Sequence, residues 1–182
     1  GLNILFFIWQ MGFAFRLSTE KCPKNLPLYT ALPATLALWI SIEGAVGTAM
    51  ILTALCTAWV IHGGVYLHRM KLFLVGLSAG LILVLVAERP PNDLLTVEFD
   101  RLSVVHISLF AILTLAALCM PRMARPRNRL SLAVAAGVLP LAVLGLWVPD
   151  FFSGPMADMD PLVYEIWFRN NAEVSPALEL DD

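Results

Sequence analysis

Charge is scarce in this chain, and it is missing from long stretches altogether. Only 14% of the 182 residues are Asp, Glu, Lys or Arg, against about 25% in an ordinary soluble domain, and the mean hydropathy is +0.77. A soluble globular core does not account for that composition. Extended basic clusters are also lacking: the net charge is −2, and the basic residues fall in short groups beside apolar runs, so there is no nucleic-acid footprint. Cysteine is rare. Cys22, Cys56 and Cys119 all avoid the acid-rich segments where an oxidising compartment would permit a bridge, so neither a disulfide nor thiol chemistry is expected. The start lacks the basic flank and small-residue cleavage site of a signal peptide, because Gly1-Leu2-Asn3 leads straight into apolar sequence. That start predicts a fragment opening inside a helix.

What is present is a series of six apolar runs at 2–15, 26–42, 45–67, 72–87, 102–120 and 130–148. A helix needs about 20 apolar residues to cross bilayer hydrocarbon, within roughly 17 to 25. The shortest runs must therefore be tilted, extended by their flanks or truncated. Backbone polar groups in hydrocarbon must be paired within their own segment, which leaves helices. The expected fold class is all-α: a polytopic transmembrane helical bundle over 1–149 with about six spans, followed by an external C-terminal segment at 150–182 carrying a short helix.

Charges of opposite sign collect in alternate gaps. Arg16, Lys21 and Lys24, then Arg69 and Lys71, then Arg122, Arg125, Arg127 and Arg129 make up nine of the 12 basic residues. The positive-inside rule places these gaps in the cytoplasm. The other gaps and the tail hold every acid except Glu20, so the C-terminus is expected on the periplasmic or extracellular side. Short turns at 41–44 and 68–71 make the second, third and fourth spans antiparallel neighbours. Pro27 and Pro33 lie in the second span, where proline removes an intrahelical bond and favours a kink. Gly44, Gly47, Gly63 and Gly64 lie in or beside the third, where helices can approach closely.

Two acid-rich segments are long enough to build a site. The first reads Glu88-Arg89-Pro90-Pro91-Asn92-Asp93-Leu94-Leu95-Thr96-Val97-Glu98-Phe99-Asp100-Arg101. Pro90-Pro91 imposes an extended start, after which 94–101 could form an amphipathic helix on the membrane surface. The planar guanidinium fork suits phosphate oxygens, which makes Arg101 and Arg89 candidate ligands for the phosphate of a lipid-linked substrate. The plainer alternative pairs Arg89 with Glu88, and Arg101 with Glu98 or Asp100, as interfacial anchors.

His106, about one turn inside the fifth span, and His62, near the basic end of the third, are ionisable groups in membrane helices and hence candidate functional residues. Either could equally hydrogen-bond across helices. His106 is the better placed, beside the acid-rich loop. Glu43, at the mouth of a tight turn, could orient an acceptor or bind a divalent cation such as Mg or Mn; alternatively it complements the dipole at the start of the third span. In the tail, Gly154-Pro155 is a turn signal, and Asp160 before Pro161 reads as an N-cap with proline in the first helical position. A helix from there to about residue 173 would line up Leu162, Ile166, Trp167 and Val174. Asp158 and Asp160 are oxygen ligands that could also hold a metal cation.

At Glu88-Arg89-Pro90-Pro91, at Val97-Glu98-Phe99-Asp100-Arg101-Leu102-Ser103-Val104-Val105-His106 and at Gly154-Pro155-Met156-Ala157-Asp158-Met159-Asp160-Pro161, the sequence resembles the membrane region of bacterial polytopic glycosyltransferases of the GT-C type. That class includes oligosaccharyltransferase catalytic subunits and protein mannosyltransferases. The resemblance implies an inner-membrane enzyme that takes sugar from a polyprenyl-phosphate donor on the outer face, with membrane lipid and the lipid-linked donor as partners. It would make Arg101 and Arg89 the carrier-phosphate ligands. Glu43 would parallel an acid of a later outer loop; His106, from its own place in the fifth span, is the other candidate for an accessory role. The class's catalytic acid has no counterpart here and is expected upstream of residue 1. Two other classes remain open: a transporter or flippase segment lined by His106, Glu43 and the second span, and a non-catalytic membrane subunit that recruits a partner through its tail.

Overall fold

The computed structural model describes residues 2–99, 101–121, 125–153 and 162. Asp100, Arg122, Asp158, Asp160 and the tail helix expected from residue 161 lie outside that set, apart from Leu162. Among the described residues the chain is a bundle of six helices with no strand: α1 (Leu2–Ser18), α2 (Leu26–Ile40), α3 (Gly44–His62), α4 (Gly64–Glu88), α5 (Val104–Cys119) and α6 (Pro126–Trp147). Short 3-10 turns at Pro91–Asp93 and Pro149–Ser153 follow α4 and α6. By length and composition α3, α4 and α6 can each cross a membrane, and α1, α2 and α5 are shorter apolar helices. The all-helical membrane bundle expected from the sequence is what the chain forms.

The break between α3 and α4 differs from the expected one. Sequence placed a turn at 68–71, but those residues lie inside α4, and the chain turns at Gly63, whose φ is +102°. Glycine has no Cβ to oppose a positive φ, so the chain reverses there, and Tyr66 N–H bonds back to the Gly63 carbonyl at 3.2 Å. The polar residues 68–71 suggested a loop. They are tolerated in the helix because Arg69 and Lys71 reach carbonyls at the ends of other helices and Met70 packs into the core.

Those reaches organise the basic end of the bundle. Arg69, only 7% exposed, donates from Nη1 to the carbonyls of Leu17 (2.7 Å) and Thr19 (2.6 Å), and from Nη2 to that of Glu20 (3.0 Å). Its guanidinium lies 4.8 Å from the centre of the Tyr66 ring, and the Tyr66 hydroxyl bonds the Ser18 carbonyl at 3.3 Å. Lys71 Nζ likewise holds the carbonyls of Leu118 (3.1 Å) and Met120 (2.9 Å), and Arg129 Nη1 reaches Val60 at 3.4 Å. One cation thus serves the end of each of α1, α5 and α3, where unpaired carbonyls and the negative end of the helix dipole favour positive charge.

Between helices the packing is close. α2 packs most extensively on α4, α1 on α3, and α5 on α4, with α6 at the edge. A Cβ on Gly44 would lie 2.5 Å from the Ala37 backbone carbon of α2, and one on Gly47 would overlap the Gln10 amide of α1. Small residues here let the backbones meet. Trp59, Phe73, Leu17, Leu38, Leu55 and Leu77 fill the centre. Ser78 and Thr114 join α4 to α5 by a buried 2.8 Å hydroxyl pair. Apolar side chains on the periphery, such as Leu83, Leu115 and Leu146, suit lipid contact.

Candidate functional site

The loop from α4 to α5 converges on Glu98. Arg89 binds that carboxylate from Nη2, with further bonds from Nη1 to Thr96 Oγ1 (2.6 Å) and from Nη2 to the Leu102 carbonyl (2.8 Å). Arg101 grips the same carboxylate at both oxygens, Nε to Oε2 at 2.6 Å and Nη2 to Oε1 at 2.5 Å. The two arginines differ in access: the Arg89 side chain is 7% exposed and that of Arg101 is 61%. Hydrogen bonding from Arg101 is the largest of the effects that hold the Glu98 carboxyl below its ordinary range; burial opposes it, and the hydrogen bond and charge of Arg89 add to the lowering.

The pairing expected for Arg89 is corrected here. Glu88 instead accepts from Trp39 Nε1 of α2 at 2.8 Å, leaving Arg89 to Glu98. The surface helix expected over 94–101 does not form in its described part, since 94–99 is turn and irregular chain. Eight residues are too few to nucleate a helix unaided. Thr96 closes a local turn on the Asp93 carbonyl instead, through Oγ1 at 2.7 Å, and the Arg89–Glu98 contact draws the loop back over the bundle.

His106 joins this cluster from below. Ser103 and His106 form a capping box at the start of α5: the Ser103 N–H donates to His106 Nδ1 at 3.3 Å, and the Ser103 hydroxyl lies 3.2 Å from the same nitrogen. The Ser103 hydroxyl also meets the Glu98 carbonyl at 2.6 Å. The imidazole is 6% exposed and meets Phe151 edge-on, and Phe151 in turn contacts Phe99. Phe99, Val105, Leu144 and Val148 form a small apolar core that ties the loop to α5 and α6.

The structure therefore brings Arg89 and Arg101 together on the Glu98 carboxylate, and links His106 to the Glu98 backbone carbonyl through Ser103. Glu43 lies in a separate recess of about 200 Å³ lined by Ile4, Phe7, Gln10, Ala37 and Gly44. It is the residue before α3, exposed, and its side chain makes no capping bond. No group of three or more His, Cys, Asp or Glu residues able to hold a metal occurs among the described residues, and Asp158 and Asp160 fall outside them. Glu98 itself was missed as the centre of the site. Its one visible signal was its place between two arginines in a loop too short to separate them. No family model, curated protein or solved structure matches this chain.

Proposed function

We propose that this chain is the membrane part of a glycosyltransferase that draws sugar from a polyprenyl-phosphate donor at its acid-rich face, with the basic end cytoplasmic in a bacterial inner membrane. The observation that carries the reading is the pair of guanidiniums gathered in the loop. Arg89 and Arg101 both bind the Glu98 carboxylate, which fixes two phosphate-compatible side chains at the end of an apolar bundle. Arg89 is buried and anchors the loop. Arg101 is exposed, and Glu98 holds its fork in a fixed plane, which suits a phosphate arriving from the membrane surface. Glu43, exposed in its own recess, is the group available to an acceptor or a divalent cation.

Binding of undecaprenyl phosphate to the detergent-solubilised chain tests this. One to two charge-assisted hydrogen bonds, at about 1.5–3 kcal/mol each, predict that Arg101→Ala weakens binding at least about tenfold. Undecaprenol, which has no phosphate, should bind both proteins alike. Equal phosphate binding by Arg101→Ala would sink the assignment. It would favour the second reading, a non-catalytic membrane subunit, which has its own support in Arg89: a buried arginine with its donors spread over Thr96, Glu98 and Leu102 is a structural strut.

A further inference from the structure

A long apolar groove of about 600 Å³ runs between α2 and α4. Gly76 and Gly80 of α4 form its floor, where a Cβ would stand 3.0 Å from Ala31 and 2.5 Å from Thr35. Leu28, Leu32, Leu83 and Val84 form its walls, and Trp39 and Glu88 stand at its mouth. From Gly76 to Glu88 the helix rises about 18 Å, close to half of the roughly 30 Å hydrocarbon thickness plus an interfacial margin. The groove therefore has the length of one lipid chain in one leaflet.

The mouth carries an unbalanced charge. Glu88 is the last residue of α4, where the negative end of the helix dipole opposes a carboxylate, and the basic residue that follows it, Arg89, is paired with Glu98. Among the described residues the ion pairs both belong to Glu98, and the hydrogen bond that Glu88 accepts comes from the neutral Trp39 indole. A cation at Glu88 would relieve both the dipole and the unpaired charge. Trp39, 47% exposed, adds an aromatic face on which an ammonium can rest.

We propose that this groove seats a phospholipid with a primary ammonium headgroup, phosphatidylethanolamine, on the acid-rich side of the membrane. One acyl chain lies over Gly76 and Gly80, and the ammonium donates to the Glu88 carboxylate beside Trp39. A phosphatidylglycerol of the same chains fits the groove equally but brings no cation to its mouth. Phosphatidylcholine brings a cation without an N–H to donate. The inference stands apart from the glycosyltransferase reading, because neither Arg101 nor Glu98 takes part in it.

Native mass spectrometry of the full chain released from micelles doped with the three lipids, matched in acyl chains, tests the proposal. Phosphatidylethanolamine should be retained about tenfold over phosphatidylglycerol, the effect of one charge-assisted hydrogen bond. Glu88→Gln, a conservative change at an exposed position, should bring it down to the phosphatidylglycerol level. Leu83→Trp, at a groove residue 70% exposed, should reduce retention of all three lipids together. Equal retention of phosphatidylethanolamine and phosphatidylglycerol by the unaltered chain overturns the proposal. So does phosphatidylcholine bound as well as phosphatidylethanolamine, or Glu88→Gln indistinguishable from the unaltered chain.

Discussion

Replacing Arg69 by methionine should do more damage than replacing any other basic residue in the bundle. Methionine keeps most of the side chain's apolar stem while removing the guanidinium, so the change isolates the polar contacts. Three carbonyls lose a donor. That of Leu17 belongs to a residue with no exposed surface, and an orphaned buried acceptor costs about 2 kcal/mol. Those of Thr19 and Glu20 lie in the loop beyond α1 and can be rehydrated, so each should cost only about 0.5 kcal/mol. Loss of the cation over the Tyr66 ring removes roughly 1 kcal/mol more. The total is about 4 kcal/mol, which lowers Tm by roughly 10 °C for a chain of this size. Thermal unfolding in micelles, followed by circular dichroism, measures the shift. Arg16→Met is the matched control, because Arg16 is exposed and should change Tm by less than about 2 °C on the scale of surface substitutions. Arg69→Lys should recover part of the loss, since one ammonium can still cap the helix end, as Lys71 does on α5. An Arg69→Met protein that melts with the Arg16→Met control would refute the capping account.

Glycine substitutions should separate by what a Cβ would meet. Gly44→Ala places a methyl 2.5 Å from α2 backbone that cannot rotate away and should cost about 1–3 kcal/mol, whereas Gly137→Ala meets nothing within 4 Å and should gain up to about 1 kcal/mol from helix propensity; equal melting points for the two would refute the close-approach reading. The Glu98 carboxyl lies below its ordinary value of 4.5 in the folded state, so its stabilisation of the loop is complete above pH 4.5 and is lost as pH falls through the lowered value. Protection of the amides across 89–103, with the intrinsic pH dependence of exchange divided out, should accordingly hold from neutral pH down to pH 4.5 and fall only below it, and a loss of protection centred above pH 5 would contradict the pairing with Arg101 and Arg89. In a background with Cys22, Cys56 and Cys119 replaced, a membrane-impermeant maleimide added to intact cells should label Asp93→Cys and spare Asn128→Cys; the reverse pattern inverts the proposed orientation.

The sequence by itself determined that this is a helical membrane bundle and roughly where its helices run. Apolar runs of near-spanning length leave helix as the available solution, because hydrocarbon offers no partner to an unpaired amide. Charge segregation also sorted the chain ends into a basic and an acid-rich set. Composition could not say where α3 gives way to α4, since a polar stretch at 68–71 looks like a loop until its side chains are seen to cap other helices. It could not choose among the acids for Arg89 either. Glu88 is its neighbour in sequence, but α2 presents Trp39 to Glu88 across the bundle, and Glu98 then gathers both arginines. Sequence could offer Glu98 to Arg101, three residues away, but the break at Gly63 and the partner of Arg89 belong to the tertiary structure, because Trp39 takes Glu88 from 49 residues away and no local pattern encodes that contact.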